Sequence, residues 1–381
     1  SQRGRRPDEF QILMRIVHLS ESSIPSRDAN ALQVMKMCDA FAGLGHEVTL
    51  YARPGPLPVE DVYKHYSVLQ RFDIIYQKRH GPGRVGKTTY GLSVARALQH
   101  ARSADLLYAR DTYSLASASH NGWPMVFEAH VMPSGRIMRN IQRWLFTRPH
   151  FMRLIVVTKA LAEEYQSQFK VLSRGKILVV PSDAEVPSLP PQSSNVSNGR
   201  LKVGYAGHLY PGKGMEVIAP LAIRLPGMDF HVAGGVVDDV ERWRREAKGT
   251  ENLYFHGYLP PGQAQEFRQS MDILLVPTQA QMGMAGGGTH SSAWTSPLKL
   301  FEAMAAARPI IASNLQSFRD VAEHKVHALL VPPDDLDQWA AALKHLEQNP
   351  EMRHGMGGAG FELVSRCYSY EQRARRVLEG L

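Results

Sequence analysis

The chain has 381 residues, 44% apolar and 21% charged, proportions that exclude a disordered or fibrous protein and leave room for two ordinary domains. No run of about 18 apolar residues occurs, so no segment reads as a membrane-spanning helix; two distant cysteines, Cys38 and Cys367, exclude a disulfide scaffold and read as buried thiols of a reducing compartment. The formal charge of +8 suits an anionic ligand or an acidic membrane surface and selects neither.

Residues 1–13 read as residues added ahead of the natural chain and not as a secretory leader, and Met14 opens the first recognisable element. Arg15–Leu19 is a short strand, Ser20–Ala29 a polar loop, and Asn30–Leu44 a helix with Leu32, Met35, Phe41 and Leu44 on its apolar side. Gly45 ends that helix and Glu47–Tyr51 is the next strand, a βαβ opening. No Gly-x-Gly-x-x-Gly follows the first strand, so a standard dinucleotide site is not expected there. Asp73–Tyr76 is a further strand. Gly81–Thr88 then matches the Walker A pattern letter for letter, ahead of a helical segment over Tyr90–His100. Three features oppose a P-loop. Gln77–His80 is polar where the preceding strand should be apolar. Pro82 removes an N–H from a loop that would have to offer them. Arg110 interrupts the only following strand that ends in Asp, Leu106–Asp111. A basic surface loop facing an acidic acceptor or lipid head groups is expected, with a P-loop NTPase as the alternative.

Asp105–Ala109 is a strand ending at Arg110, and Met125–Phe127 is another, closed by Glu128-Ala-His130. The C-terminal edges of parallel strands face the crevice where ligands sit. His130 is therefore a candidate substrate contact, set against a histidine that only ties down a loop. Gln142–Met152 mixes arginines with Trp144, Phe146 and Phe151, and reads as a helix packed by its aromatics or touching a membrane surface. Leu154–Val157 is a strand, Lys159–Phe169 a helix and Ile177–Val180 a strand. Pro187–Gly199, rich in Pro, Ser and Asn, is a linker.

The second half starts again with a strand at Lys202–Ala206, a glycine-rich turn over Gly207–Gly214 carrying Lys213, and a helix from Met215 to Leu225, an order that suits a diphosphate. Strands follow at Phe230–Ala233, Leu253–Tyr258, Asp272–Val276 and Ala328–Val331, and Gly257 and Tyr258 are placed to lie against a base. After a long loop over Gln279–Ala293, Ser296 reads as an N-cap, Pro297 as the first helical residue, Pro309 as the stop and Ile310–Ala312 as a strand. A helix start offers unpaired N–H groups and partial positive charge to a phosphate. Glu302 lies six residues in, about 9 Å along the axis, leaning back toward that start, where its carboxylate can take two ribose hydroxyls. The competing reading is a packed helix whose Glu302 pairs with Lys299. Asp335-Leu-Asp337 has a spacing that can hold a divalent metal, but it follows Pro332-Pro333 and opens a helix over Leu336–Leu346, so capping is expected. Tyr368–Leu381 is a basic amphipathic helix.

In order and spacing, Gly45–Val48, Phe127–His130, Gly207–Gly214, Phe255–Tyr258 and Pro297–Ile311 resemble the GT-B glycosyltransferases, in particular the retaining, nucleotide-sugar-dependent enzymes of family 4. The resemblance runs from about Met14 to Leu381. It implies an α/β fold of two Rossmann-like domains facing each other across a cleft: an acceptor-side domain over 14–186, a linker over 187–199, a nucleotide-sugar-binding domain over 200–360, and a C-terminal helix over 361–381 crossing back to the first domain. It implies that Lys213, in the turn that contains Gly207 and Gly212, binds the donor diphosphate. His208 stands where an arginine is common. Ser296, Leu298, Lys299 and Leu300 belong to the helix start on the donor, and Glu302 matches the second glutamate of a Glu-x7-Glu motif, for the ribose. The first glutamate of that motif is replaced by Trp294, and Ser-Pro replaces the usual Phe-Gly. His130 matches the histidine that orients the transferred sugar and, with Lys213, is the catalytic expectation. Gly257 and Tyr258 meet the base. On the acceptor side the expectation falls on Ser20, Asn30 and Arg110. The implied reaction moves a sugar from a UDP- or GDP-linked donor to a glycan, lipid-linked or small-molecule acceptor, with no metal and no cofactor. The implied place is the cytoplasm, in peripheral contact with the inner face of an anionic membrane, without nucleic acid. A GT-B epimerase or phosphorylase is the alternative, though epimerisation needs a general base that the sequence does not display.

Overall fold

Short apolar runs without alternation mark strands buried on both faces, as parallel sheets require. Leu106–Ala109 and Ile273–Val276 are such runs, and all their residues are buried. The structure, a computed structural model, describes residues 13–69, 72–191, 199–283, 289–291 and 296–381. Its first sheet contains β1 (Arg15–Ile24), β2 (Glu47–Pro54), β3 (Asp73–Tyr76), β4 (Leu106–Ala109), β5 (Met125–Ala129), β6 (Phe151–Val156) and β7 (Ile177–Val179). The spatial order is β3-β2-β1-β4-β5-β6-β7, parallel throughout. The helices between them are α1 (Ala29–Gly43), α2 (Val62–His65), α3 (Gly83–Leu98), α4 (Thr112–Ala118), α5 (Gly135–Phe146) and α6 (Lys159–Gln168).

The second sheet repeats the plan with β8 (Lys202–Ala206), α7 (Met215–Arg224), β9 (Asp229–Ala233), α8 (Val237–Glu246), β10 (Leu253–Gly257), α9 (Pro261–Gln269) and β11 (Ile273–Val276). A small antiparallel pair, β12 (Gln281–Gly283) and β13 (Thr289–Ser291), precedes α10 (Leu298–Ala305) and β14 (Ile310–Ser313). Then come α11 (Gln316–Arg319), β15 (Leu329–Val331), α12 (Leu336–Gln348), α13 (Pro350–Cys367) and α14 (Tyr370–Leu378). The order β10-β9-β8-β11-β14-β15 is again parallel. Both sheets reverse winding beside their first strand, between β1 and β4 and between β8 and β11. These switch points are where open α/β sheets bind ligands. The fold is therefore α/β with two doubly wound halves, as expected.

Several boundaries differ from the sequence reading. β1 runs on to Ile24 through the stretch expected as loop, because Ser20 and Ser22 satisfy each other's hydroxyls at 2.8 Å and Ser23 and Ile24 rejoin β2 after a register shift. α3 starts at Gly83 rather than Tyr90; Gly86, Tyr90, Val94 and Leu98 form its buried face. The residues Gly83–Gly86 that a P-loop would wrap around phosphate are thus the first turn of a helix, and Arg79 closes over them, donating to the Gly83 carbonyl at 3.0 Å and to Glu21 at 2.8 Å. A Cβ on Gly86 would meet the Gly81 carbonyl oxygen at 2.2 Å. The helix expected over Gln142–Met152 is α5, which ends at Phe146, and Phe151 opens β6. Their buried rings, 5.1 Å apart, pack against each other from two elements. Asp335 caps α12 by accepting from the Gln338 N–H at 3.0 Å. The 360/361 boundary falls inside α13, whose Met356, Gly357, Gly360 and Val364 keep one face buried across it. The chain bends instead at Tyr368-Ser369, and α14 places Ala374 and Val377 in the core of the first half with Ile16, Val34 and Phe41.

Candidate active site

One cavity of about 860 Å³ lies between the two halves, reached by the C-terminal ends of β8, β9, β10 and β11 from one side and by residues 26–29, Lys36 and Tyr66 from the other. Gly207, His208, Lys213, Gly257, Tyr258, Ser296, Leu298, Lys299 and Glu302 all line it. Gly212 and Leu300 do not. Leu300 is fully buried in the core beneath α10, and the Gly212 N–H is taken by Glu216 at 2.8 Å. Glu216 also accepts from the Gly214 N–H at 3.2 Å. A carboxylate in the first turn of α7 thus ties down the amides expected to cradle phosphate, and leaves side chains to carry the positive charge.

The close approach of turns explains the glycines. A Cβ on Gly234, whose φ is +108°, would meet the Gly207 carbonyl oxygen at 2.1 Å. A Cβ on Gly207 would meet Lys299 Nζ at 2.3 Å. Lys299 thus reaches directly beneath the 207–214 turn. Its Nζ donates to the Tyr205 hydroxyl and lies 4.5 Å from the centre of that ring. Burial and the neighbouring Lys213 pull its pKa down to about 7, against the raising influence of Glu302. Burial lowers Lys213 as well. His208 stacks on Tyr210 at 4.9 Å, and burial together with Lys299 and Lys213 depresses its pKa.

Glu302 does not pair with Lys299 but with Arg268 of α9, at 3.5 Å. Ser296 is not the helix cap either. Its hydroxyl accepts from the Ser182 N–H at 2.7 Å, which ties the start of α10 to the end of the first half, and Pro297 precedes the helix without a side-chain cap. Trp294 lies outside the described residues. Across the cleft the Arg27 guanidinium stands 4.6 Å over the Tyr258 ring, and Lys36 pairs with Glu185 at 2.8 Å.

His130, Ser20, Asn30 and Arg110 lie apart from that cavity, toward the C-terminal edge of the first sheet. Ser20 is buried, and Asn30 reaches back to Ser22 at 2.6 Å. His130 Nε2 is bonded to Glu128, which is almost wholly buried, also accepts from the Tyr108 hydroxyl, and forms ion pairs with Arg110 at 3.6 Å and Arg373 at 2.9 Å. Burial opposes ionisation of Glu128, yet Arg373 and His130 outweigh it and hold the carboxyl at about 2. Burial and Arg110 lower His130 to about 4. An ionised Glu128 beside a neutral imidazole fixes Nε2–H as the donor and leaves Nδ1 as an acceptor. Among the described residues no group of three or more His, Cys, Asp or Glu side chains has a metal-holding arrangement.

Sequence reasoning missed Arg27, Glu216, Arg268, Arg373 and the pairing of Tyr205 with Lys299. Arg373 carried no signal beyond a basic amphipathic tail, since the contact joins residues far apart in the chain. Glu128 stood in the quoted Phe127–His130 segment, and its buried strand position was the signal.

Two doubly wound halves whose strand ends share one cleft are the GT-B arrangement. The model of the glycosyl transferases group 1 matches residues 200–349, and that of glycosyltransferase family 4 matches residues 31–182. The phosphatidyl-myo-inositol mannosyltransferase of Mycolicibacterium smegmatis is 23% identical over 354 residues, covering 87% of this chain and 84% of the relative. That of Mycobacterium leprae is 30% identical over 174 residues, 44% of this chain and 42% of the relative. Among solved structures, Anabaena Alr3699/HepE in complex with UDP-glucose superposes with a TM-score of 0.70 at 14% identity, over 96% of this chain and 98% of that one. The lipopolysaccharide-biosynthesis glycosyltransferase WaaG does so with a TM-score of 0.67 at 14% identity, over 96% and 100%. The chain thus carries a glycosyltransferase family 4 domain in its first half and a glycosyl transferases group 1 domain in its second, on a GT-B fold.

Proposed function

We propose that the protein transfers a hexosyl group, with retention of configuration and without a bound metal, from a UDP- or GDP-linked sugar to a glycan, lipid-linked or small-molecule acceptor. The observation that carries this reading is that Lys213, Lys299 and Glu302 line one cavity at the switch point of the second sheet. The two ammonium groups and the start of α10 face the charge that develops on a departing nucleoside diphosphate, and such fixed charges in a poorly hydrated site do the work of a cation. Glu302 takes the ribose hydroxyls, with Arg268 steering its carboxylate. Tyr258 meets the base. Neutral His130, with Nδ1 as an acceptor, orients a hydroxyl of the transferred sugar, and the acceptor attacks from the same face on which the leaving group departs. Closing of the cleft brings the first-sheet edge to the donor and excludes water.

The relatives named as acting on phosphatidyl-myo-inositol support a lipid-linked acceptor. So does the face formed by α3 and α5, where Val85, Leu92 and Ile137 are exposed among Arg84, Arg136, Arg139 and Arg143. That face suits peripheral contact with an anionic membrane on the cytoplasmic side. No helix among the described residues is long and apolar enough to cross a membrane. The test is a screen of UDP-, GDP- and ADP-hexoses for hydrolysis or transfer, with the anomeric configuration of the product read by NMR. Release of UDP or GDP with a retained anomer is expected. Inversion, or epimerised free donor, would overturn the proposal.

A further inference from the structure

We propose that Arg373, on the last helix of the chain, is a positioning residue for His130 that acts through Glu128, so that docking of α14 on the first half completes the sugar-facing end of the site. The inference rests on the reading of His130 given above.

Glu128 is 3% exposed and Arg373 4% exposed, so neither is screened by water. The carboxylate is shared between the two. Oε1 is bonded to His130 Nε2, Oε2 accepts from the Tyr108 hydroxyl, and Arg373 Nη2 stands 2.9 Å from Oε2 as an ion pair. Arg373 does more than balance that charge. Its Nη1 donates to the Val180 carbonyl at 2.8 Å and to that of Pro181, and its Nε lies 3.9 Å from Asp183. One guanidinium therefore joins three things: the carboxylate behind His130, the end of the first sheet, and the start of the connector to the second half. The backbone reinforces the junction, because the Ala184 N–H donates to the Tyr368 carbonyl at 2.9 Å. Arg110, the other cation near Glu128, stands farther off at 3.6 Å.

The consequence for the imidazole is direct. With this cation 2.9 Å away the buried carboxylate stays ionised, and an ionised carboxylate selects one tautomer and one ring position for His130. Without Arg373 the buried Glu128 loses its nearest cation and is driven toward protonation. A protonated Glu128 can donate to Nε2, which moves the imidazole proton to Nδ1 and removes the acceptor offered to the sugar. A residue that enters the first half only through the crossing tail thereby makes the competence of the sugar site depend on how that tail is seated.

The experiment compares wild type, Arg373→Gln, Arg373→Lys, His130→Ala and the Arg373→Gln/His130→Ala double variant. Turnover of UDP-glucose and GDP-mannose, calorimetric binding of UDP and GDP, and imidazole 15N resonances are the readouts. Wild-type His130 should show the Nε2–H tautomer, and Arg373→Gln a mixture or the other form. Arg373→Gln should lower kcat on the order of 100-fold, as misplacement of a reacting group does, with nucleotide binding little changed and Arg373→Lys in between. In the His130→Ala background the substitution should cost nothing further. Should Arg373→Gln fail to fold, Arg373→Lys alone must still shift the 15N pattern. Unchanged 15N resonances in a folded Arg373 variant, or losses that add fully to those of His130→Ala, would overturn the inference. Wild-type kcat in His130→Ala would instead overturn the reading of His130 on which it rests.

Discussion

Lys299 should take up a proton when the donor binds. It lies beneath the 207–214 turn beside Lys213, and burial with that neighbour brings its pKa from an ordinary 10.5 to about 7. An entering diphosphate replaces a repelling environment with an attracting one, so the pKa in the complex is higher. Below pH 7 the ammonium is already charged and affinity is independent of this group. Above pH 7 each unit costs about 1.4 kcal/mol, about tenfold in Kd, until the pKa of the complex is reached. The unliganded protein shows the opposite trend. Its folded-state pKa lies below that of the unfolded chain, so between pH 7 and 10.5 the unfolded chain binds more protons, and this group's contribution to stability rises with pH. UDP-glucose, whose diphosphate has no ionisation near neutrality, is the probe. Calorimetry from pH 6 to 9 in two buffers of different ionisation heat reads both Kd and proton uptake. Lys299→Met should abolish the slope and weaken binding at pH 6.5 by about 10- to 100-fold, the loss of one charge-assisted contact. A flat wild-type Kd from pH 7 to 9 without proton uptake, or the same slope in Lys299→Met, would refute the reasoning.

Gly234→Ala forces a Cβ to within 2.1 Å of the Gly207 carbonyl oxygen at a φ of +108°. It should cost about 2 kcal/mol or more of stability in urea denaturation and weaken nucleotide binding by displacing the turn; wild-type values for both would contradict the packing described. Ser296→Ala leaves the buried Ser182 N–H without its acceptor and should lower stability by about 1–3 kcal/mol. An unchanged denaturation midpoint would show that this tie between the halves contributes nothing. Turnover should survive excess EDTA, since the lysines carry the charge. Loss of activity that manganese restores would sink the metal-free mechanism.

The buried strands were legible because apolar runs such as Leu106–Ala109 have few alternatives, and the Gly207–Gly214 turn was legible because a lysine-bearing glycine turn between strand and helix is a local pattern. Asp335 was legible as a cap for the same reason. What escaped was non-local or ambiguous in its letters. Gly81–Thr88 spells a phosphate loop, but only the buried spacing of Gly86, Tyr90 and Val94 reveals a helix start, and the polar residues between them hide it. Ser296 looked like a cap because its position in sequence is that of a cap; its hydroxyl is claimed by Ser182, 114 residues earlier. Glu302 and Lys299 share a helix face, yet each finds a partner from another element, Arg268 and Tyr205. The Glu128–Arg373 contact crosses most of the chain, and no periodicity records it.

The central claim is that the second sheet's switch point, not the Walker-like segment, grips the nucleotide. Calorimetric titration of UDP and GDP into wild type, Lys213→Ala and Lys87→Ala tests it most directly. Lys213→Ala should lose about tenfold or more in affinity, while Lys87→Ala, whose ammonium stands 4.0 Å from Glu21 on the first half, should bind as wild type does. Binding abolished by Lys87→Ala and untouched by Lys213→Ala would contradict the account.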